Sequence, residues 1–239
     1  MQIAALQKLT LLDYPGKIAA TIFTPGCNFR CGFCHNPELV TQIDPQNFLD
    51  LSEVLNFFKK RKKYLEAVCF TGGEPLLQTD ITEFIKKLKK IGYLIKIDTN
   101  GTNPDLLKDL IKNKLIDYIA LDIKTVLDWE KYKKAIGVNN KELLEKVIET
   151  KDILLKLNSR KEIDYEFRTT VVPNVVNLED LEKIAQEIKG AKRYILQQFR
   201  NTRKMIDESF KEVKPYSLEE LKNICQKIRK FVNYCEVRG

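Results

Sequence analysis

The feature that most restricts the fold is a regular alternation of short apolar runs, rich in β-branched residues, with longer amphipathic segments. The apolar runs fall at 18–24, 66–70, 93–98, 117–122, 163–172 and 193–199. Their length and composition are typical of buried strands. The segments between them place apolar residues at helical spacing, as in 140–157 and 178–188. Six such β/α units predict an α/β fold, a single-domain partial (β/α)6 TIM-like barrel with parallel strands over residues 1–239.

Polar residues cluster where the predicted strands end. In parallel sheets, ligands bind beyond the carboxyl ends of the strands. The polar stretches that follow the strands are 24–27, 71–75, 98–101, 122–124 and 197–200, and the fifth strand carries Arg168. Because parallel strands end at one rim of the sheet, these residues are expected to converge on one site.

Half of the six cysteines lie in one stretch of eight residues, as Cys27, Cys31 and Cys34. Thiolates select soft metals and iron–sulfur clusters, and the spacing Cys-X3-Cys-X2-Cys offers three sulfurs from a single loop. No fourth cysteine lies near them, whereas a structural zinc site closes its tetrahedron with four ligands. The neighbouring His35 is badly placed to turn back onto the same ion. The triad therefore predicts a metal centre with one position open for chemistry.

The other three cysteines need separate explanations. Cys69 lies inside an apolar run, and Cys225 lies on the apolar face of a predicted helix. Both are expected to be small buried side chains rather than metal ligands. For Cys235 the sequence decides nothing.

The chain is basic, with 41 Lys and Arg against 33 Asp and Glu and a net charge of +8. The lysines concentrate at 59–63 and 86–90, where they are expected to form solvated helix faces rather than a nucleic-acid surface. No apolar run reaches the roughly 18 residues that span a membrane, and the first ten residues lack the pattern of a signal peptide. We expect a soluble, cytoplasmic protein that binds neither membrane nor nucleic acid.

The triad and its surroundings resemble a known family. The sequence Phe33-Cys34-His35-Asn36, together with the triad, resembles the cysteine motif of radical S-adenosylmethionine (radical SAM) enzymes. Within that superfamily it resembles the glycyl-radical enzyme activating subfamily. Five further blocks resemble that subfamily in the same order, at 12–17, 71–75, 98–101, 121–124 and 168–173. Within the subfamily, the similarity is to activating proteins of anaerobic ribonucleoside-triphosphate reductase, which are related to pyruvate formate-lyase activating enzyme.

The resemblance implies a 4Fe-4S cluster held by Cys27, Cys31 and Cys34, with S-adenosyl-L-methionine on the fourth iron. Reductive cleavage of S-adenosylmethionine then supplies a 5'-deoxyadenosyl radical, and the protein contributes position and exclusion of water. The implied substrate is a glycine on a partner glycyl-radical enzyme, anaerobic ribonucleotide reductase. The implied electron donor is a flavodoxin or ferredoxin.

The resemblance also assigns the residues around the cluster. Those expected to bind S-adenosylmethionine are Phe33, Gly72, Gly73, Glu74, Asn100, Lys124 and Arg168. The two glycines remove side chains where a backbone approaches ligand, and Glu74 can pair with the ammonium of the methionine moiety. A candidate site for a monovalent cation consists of Asp98, Thr99 and Asp122, and its alternative is a plain salt-bridge cluster. His35 is expected on the cluster side, stacking near the adenine or capping the loop.

Three alternatives stay open. The partner could resemble pyruvate formate-lyase, or the enzyme could act on a small molecule or on tRNA. We recognise no appended RNA-binding module and no second cysteine triad in the sequence, which disfavours action on a small molecule or on tRNA. A non-enzymatic iron–sulfur or zinc carrier would leave the polar strand ends unexplained.

Overall fold

The computed structural model describes residues 1–159, 163–202 and 204–239. Within them, the strands are β1 (Ala5–Thr10), β2 (Ala19–Thr24), β3 (Ala67–Gly72), β4 (Leu94–Thr99), β5 (Tyr118–Asp122), β6 (Asp164–Val171), β7 (Tyr194–Gln198) and β8 (Cys235–Arg238). The strand order in the sheet is the chain order, with β1 and β8 at its edges. β1 is antiparallel to β2, whereas β2 to β4 pair in parallel, as do β6 to β8.

The helices follow the strands in alternation. They are α1 (Pro37–Val40), α2 (Leu51–Arg61), α3 (Ile81–Ile91), α4 (Pro104–Lys112), α5 (Trp129–Ile136), α6 (Lys141–Lys156), α7 (Leu178–Glu187) and α8 (Leu218–Ile228). Short 3-10 turns occur at Pro45–Asn47, Pro75–Leu77, Leu157–Ser159 and Glu208–Glu212. Asn177 begins α7 and Ser217 begins α8, each in a capping box with the acidic residue three positions later.

The chain divides into two compact units. Unit 1 comprises Met1–Asn28, Glu38–Thr99 and Asp105–Ile119. Its core is formed by β2 and β3, whose paired residues run in register from Ala19 opposite Ala67. α3 buries one apolar face, and its lysines at 86, 87 and 90 are exposed, as are those at 59, 60 and 63. The basic runs are therefore solvated faces, as expected.

Unit 2 comprises Phe29–Pro37, Asn100–Pro104 and Ala120–Gly239. Two side-chain interactions connect its edge strand β8 to the rest of the unit. Arg238 donates from both terminal nitrogens to the fully buried carboxylate of Glu166, at 3.0 Å each. Cys225 and Cys235 form a disulfide between α8 and β8, with their Cα atoms 5.8 Å apart.

The disulfide corrects the expectation for Cys225. Its side chain is buried, as predicted, but it is covalently paired instead of being a free apolar side chain. The pairing depends on β8, which the sequence pattern did not reveal. Cys69 is free and buried, which confirms the prediction made for it.

The α/β class and the partial TIM-like barrel with mostly parallel strands are confirmed. The predicted six strands correspond to β2 through β7, with ends that agree within two residues. The count of six is too low, because β1 and β8 were missed. Both are edge strands that carry charged residues, exposed in β1 and half-buried in β8, so neither shows the apolar run of a buried strand. Among the described helices, none combines the length and apolarity needed to cross a membrane.

Candidate active site

Backbone packing positions the first part of the cysteine loop in unit 1. β2 ends at Thr24, and the amide groups of Gly73 and Glu74 donate to the carbonyl oxygens of Thr24 and Gly26, at 2.8 and 2.7 Å. A Cβ atom at Gly73 would overlap the Gly26 carbonyl oxygen, and one at Gly72 would lie 2.6 Å from the Thr24 oxygen. The two glycines thus let two backbones touch immediately before Cys27. Sequence reasoning assigned this close approach to ligand, whereas the group approached in unit 1 is the cysteine loop itself.

Glu74 is held in place within the same unit. Its side chain is 1% exposed. One carboxylate oxygen accepts the Leu76 amide at 3.0 Å, which caps the turn Pro75–Leu77, and the Thr99 hydroxyl at 2.7 Å. The residues predicted around Gly72 to Glu74 therefore adjoin the end of β4, as expected for one rim of a parallel sheet.

Asp98 pairs with a lysine that the sequence reasoning overlooked. Lys96 precedes it by two residues on β4, so both side chains lie on one face of the strand. The Lys96 ammonium forms an ion pair with Asp98 although Lys96 is only 2% exposed. This pair corresponds to the salt-bridge alternative, and the cation role of Asp98 and Thr99 stays a prediction.

The second part of the cysteine loop lies in unit 2. Cys31 is buried and Cys34 is half-buried, and the Cys34 amide donates to the Cys31 carbonyl at 3.0 Å in a tight turn. The Arg30 amide donates to the carbonyl of Ile136, the last residue of α5, at 2.7 Å. A Cβ atom at the next residue, Gly137, would overlap the Arg30 carbonyl oxygen. α5 therefore braces the loop, a role that nothing in its sequence indicated.

Aromatic rings pack around the end of this loop. Phe33 contacts Phe210 edge to face, with ring centroids 5.9 Å apart. His35 stacks on Phe199 at 5.8 Å, and its Nε2 donates to the Arg200 carbonyl at 3.1 Å. The Nε2 must carry the hydrogen, since a carbonyl can only accept. The expected roles of His35, near the adenine or capping the cysteine loop, stay predictions. Phe33 was expected against adenine, and in unit 2 its ring lies on Phe210.

The segment around Phe210 covers the loop more closely still. The Asp207 amide donates to the Gly32 carbonyl at 2.9 Å, and a Cβ atom at Gly32 would lie 2.6 Å from the Phe210 ring. Beside this contact lies a cleft of about 450 Å³, lined by Pro173, Asn174, Ser209, Phe210, Glu212, Val213 and Lys214. Sequence reasoning missed this segment because no motif marks it.

Asp122 lies between two cations in unit 2. Its Oδ1 accepts from the Arg168 Nε at 2.7 Å, and its Oδ2 accepts from the Lys124 Nζ at 2.9 Å. Burial acts to raise the pKa of Asp122, but Arg168 and Lys124 outweigh it and hold that pKa well below its usual range. Burial likewise acts to lower the pKa of Lys124, and the carboxylate of Asp122 outweighs it and raises that pKa. The three groups are therefore charged at neutral pH, with one net positive charge.

The side chain of Asn100 is less accessible to a ligand than the predicted binding role requires. Its side-chain oxygen accepts the amide and hydroxyl of Thr102, at 3.1 and 2.7 Å. It is only 6% exposed. The structure therefore gives Asn100 a turn-forming role after β4, and its predicted contact with the cofactor stays a prediction.

Comparisons with known proteins indicate the family of this chain. Residues 21–188 match the radical SAM superfamily. A Methanocaldococcus jannaschii protein named provisionally as a glycyl-radical enzyme activating enzyme is 35% identical over 239 residues, 99% of this chain and 95% of the relative. The pyruvate formate-lyase-activating enzyme of Clostridium pasteurianum is 29% identical over 79% of this chain and 76% of its own.

The solved structure of Streptococcus suis SuiB bound to S-adenosylmethionine matches with a TM-score of 0.68 and 16% identity. The match covers 92% of this chain and 52% of SuiB, so the chain spans about half the length of that protein. At this identity the likeness concerns the fold alone. The superfamily implies an iron–sulfur cluster and S-adenosylmethionine as cofactors. Since the superfamily match spans most of the chain and the archaeal relative aligns over nearly its full length, the chain belongs to the radical SAM superfamily and is an enzyme of that superfamily.

Proposed function

We propose that this enzyme activates a glycyl-radical enzyme by generating a glycyl radical on it. The observation that carries the proposal is the 35% identity over 99% of the chain to a relative named for that activity. Cys27, Cys31 and Cys34 would hold a 4Fe-4S cluster. Once reduced by an external one-electron donor, it would pass that electron to S-adenosylmethionine, giving methionine and a 5'-deoxyadenosyl radical able to take a hydrogen atom from the partner's glycine. The chain's own residues bind these groups, orient them and exclude water.

The cysteine set fits an iron–sulfur cluster. None of Cys27, Cys31 and Cys34 is in a disulfide, and thiolate sulfurs are the ligands such clusters take. Within the described part of the chain, no three His, Cys, Asp or Glu side chains are arranged around a single metal ion. A cluster binds each thiolate through a different iron, so it does not need the sulfurs to meet at one ion. Three thiols from one loop, with no fourth cysteine near them in the sequence, support a cluster over a four-coordinate structural zinc.

We assign the binding of S-adenosylmethionine to two groups of residues. In unit 1 they are Gly72, Gly73 and Glu74, where the buried carboxylate suits the ammonium of the methionine moiety. In unit 2 the net positive charge shared by Asp122, Lys124 and Arg168 suits a carboxylate. Phe33 and Asn100 complete the assignment.

We assign the candidate monovalent cation to Asp98, Thr99 and Asp122. The ion pairs of Asp98 with Lys96, and of Asp122 with Lys124 and Arg168, compete with such a cation. Dependence of S-adenosylmethionine affinity on added potassium or sodium tests this assignment.

We propose anaerobic ribonucleotide reductase as the partner and a flavodoxin or ferredoxin as the electron donor. The similarity of the sequence blocks supports this choice of partner. A pyruvate formate-lyase-like partner is the second candidate, because the Clostridium pasteurianum relative is named for activating that enzyme.

The test uses the full chain, reconstituted anaerobically with iron and sulfide, then mixed with reductant and S-adenosylmethionine. We expect 5'-deoxyadenosine, and a glycyl-radical doublet in the EPR spectrum of added anaerobic ribonucleotide reductase. A doublet on pyruvate formate-lyase alone would transfer the activity to the second candidate. Product formation without a doublet on either protein would overturn the activase proposal.

Matched cysteine variants distinguish a specific loss of the cluster from a general loss of stability. Cys31→Ala should abolish both cluster assembly and 5'-deoxyadenosine formation. Cys69→Ala removes a free, buried sulfur outside the triad and should leave both intact. Equal losses in the two variants would contradict the assignment of the cluster to the triad.

A further inference from the structure

Residues 207–213 cover the second part of the cysteine loop in unit 2. The Asp207 amide donates to the Gly32 carbonyl at 2.9 Å, and a Cβ atom at Gly32 would lie 2.6 Å from the Phe210 ring. Asn201, just after β7, donates from its side-chain amide to two carbonyl oxygens of the same segment, at 3.1 and 3.2 Å. Backbone and side-chain contacts therefore hold this segment on the loop.

Aromatic rings connect the segment with the residues that carry the cysteine sulfurs. Phe33 is covalently bonded to Cys34 and is only 6% exposed. Its ring centroid is 5.9 Å from that of Phe210. Phe210 itself is half-buried and lines the cleft beside the loop. A molecule that contacts Phe210 from this cleft is therefore one ring away from the neighbour of Cys34.

The cleft has the composition of a small protein-docking surface. Its volume is about 450 Å³. Its apolar residues are half-buried, and they are Pro173, Phe210 and Val213. Its polar residues are exposed, and they are Asn174, Ser209, Glu212 and Lys214. Apolar contacts flanked by exposed polar side chains are typical of small, transient protein interfaces.

The chain around the cleft carries an excess of positive charge. The stretch 200–214 contains five basic and three acidic residues. The exposed basic side chains include Arg200, Lys204, Lys211 and Lys214. Complementary charge speeds docking and fixes its orientation, so this surface fits an acidic protein. The acidic residues in the same stretch disfavour a nucleic acid, because its phosphates would be repelled by them.

The position of the cleft selects one kind of acidic protein. In the proposed function an external protein delivers one electron to the cluster on the triad. Electron transfer through protein slows steeply with distance, so the donor must dock beside the cysteine loop, as the contact of Phe210 with Phe33 allows. Hydrogen abstraction instead requires access to S-adenosylmethionine. Among the described residues, those lining the cleft include neither Lys124 nor Arg168, the cations assigned to that cofactor.

We propose that the cleft beside Phe210 is the docking site of an acidic electron-transfer protein that carries a flavin or an iron–sulfur cluster. This inference rests on the proposed function, because it requires a cluster on the triad. During the docked encounter the donor is oxidised by one electron and the cluster is reduced by one, and no atoms are transferred.

The test compares two reductants of the reconstituted full chain in the presence of S-adenosylmethionine. Flavodoxin, kept reduced by its NADPH-dependent reductase, has to dock, whereas excess dithionite is a small ion that does not. Lys214→Glu reverses one exposed charge of the cleft, and Asn174→Trp fills the cleft with a large side chain. Half-maximal formation of 5'-deoxyadenosine should require about fivefold more flavodoxin in Lys214→Glu at low salt. Asn174→Trp should also slow the flavodoxin-driven reaction, and both variants should equal the wild type with dithionite.

Lys87→Glu is the matched control, because Lys87 is exposed on α3 in unit 1 and receives the same change of charge. It should leave both reactions unchanged. The affinity of the cluster-free protein for flavodoxin, measured by calorimetry, is a second readout that needs no turnover. It should weaken by the same factor in Lys214→Glu and stay unchanged in Lys87→Glu. Added salt should narrow the difference between Lys214→Glu and the wild type, because it screens the attraction.

Equal flavodoxin dependence of the wild type and both cleft variants would overturn this proposal, as would an equal loss in Lys87→Glu. A wild type that works with dithionite but with neither flavodoxin nor ferredoxin would overturn it too. A lower glycyl-radical yield under dithionite, with unchanged 5'-deoxyadenosine formation, would assign the cleft to the glycine-bearing partner instead. All these results leave the activase proposal standing. Failure of the wild type to form 5'-deoxyadenosine with dithionite would overturn both proposals.

Discussion

Arg168 and Asp122 form a direct hydrogen-bonded ion pair, with the Arg168 Nε 2.7 Å from the Asp122 Oδ1. Lys124 occupies the other oxygen of the same carboxylate at 2.9 Å. One anion is thus shared between two cations, and the excess positive charge is held in a fixed place. In the proposed function that charge recognises the carboxylate of S-adenosylmethionine before any chemistry begins.

Asp122→Asn should destabilise the cluster-free protein. The variant leaves Arg168 and Lys124 facing each other without a counter-charge, and breaking a buried pair in this way costs on the order of 3 kcal/mol. The free energy of unfolding by denaturant at pH 7 measures the effect. Asp105→Asn is the control, since the Asp105 carboxylate pairs with Lys108 on the surface and is 88% exposed. A similar loss in both variants would contradict the special role of Asp122.

The stability difference between wild type and Asp122→Asn should depend on pH in a defined way. The folded pKa of Asp122 lies below its usual 3.8, so its contribution is present above pH 3.8 and disappears as the pH falls through the folded pKa. The folded pKa of Lys124 lies above 10.5, so its contribution is lost only in strong base. We expect a constant difference from about pH 5 to about pH 9, shrinking in acid. Denaturation curves across that range measure it, and a maximum near pH 7 would contradict it.

The sequence predicts the strands that are covered on both faces and misses those at the edges. β2 and β3 read as apolar runs because nearly all of their residues are buried. β1 and β8 carry Lys8, Glu236 and Arg238, and the β8 pairing is specified by distant partners such as Glu166. Tertiary contacts between segments far apart in the chain determine such strands, so local pattern contains too little information about them.

The same limit applies to the site. Motifs at strand ends indicated the candidate residues, but not what those residues contact. Lys96 could have been found, because a lysine inside an apolar strand, two residues before Asp98, lies on the same face. Phe210 and Ile136 could not, since their positions depend on how the 207–213 segment and α5 pack against the cysteine loop.

Gly73→Ala should disrupt the approach to the cysteine loop. A Cβ atom there overlaps the Gly26 carbonyl, and forcing extra volume into packed backbone costs about 1–3 kcal/mol or more. We expect lower stability together with less iron bound after reconstitution. Gly16→Ala is the control, because Gly16 has φ +70° and no heavy atom within 4 Å of an added Cβ. Gly16→Ala should reduce stability through backbone strain alone, by about 1 kcal/mol, and leave iron binding unchanged.

The disulfide between Cys225 and Cys235 should stabilise the oxidised protein. It closes a loop of 10 residues, for which the chain-entropy relation gives about 2–3 kcal/mol. The Cys225→Ala/Cys235→Ala protein should therefore unfold at lower denaturant concentration than the oxidised wild type. Adding a thiol reductant should lower the denaturant midpoint of the wild type and leave that of the variant unchanged. Alanine suits both positions because the sulfurs are buried and a serine hydroxyl would lack a partner.

Counting alkylated cysteines by mass spectrometry after unfolding checks the pairing, with four modified without reductant and six after reduction. Six modified cysteines without reductant, or equal stability of wild type and variant under oxidising conditions, would show that the bond does not form in solution.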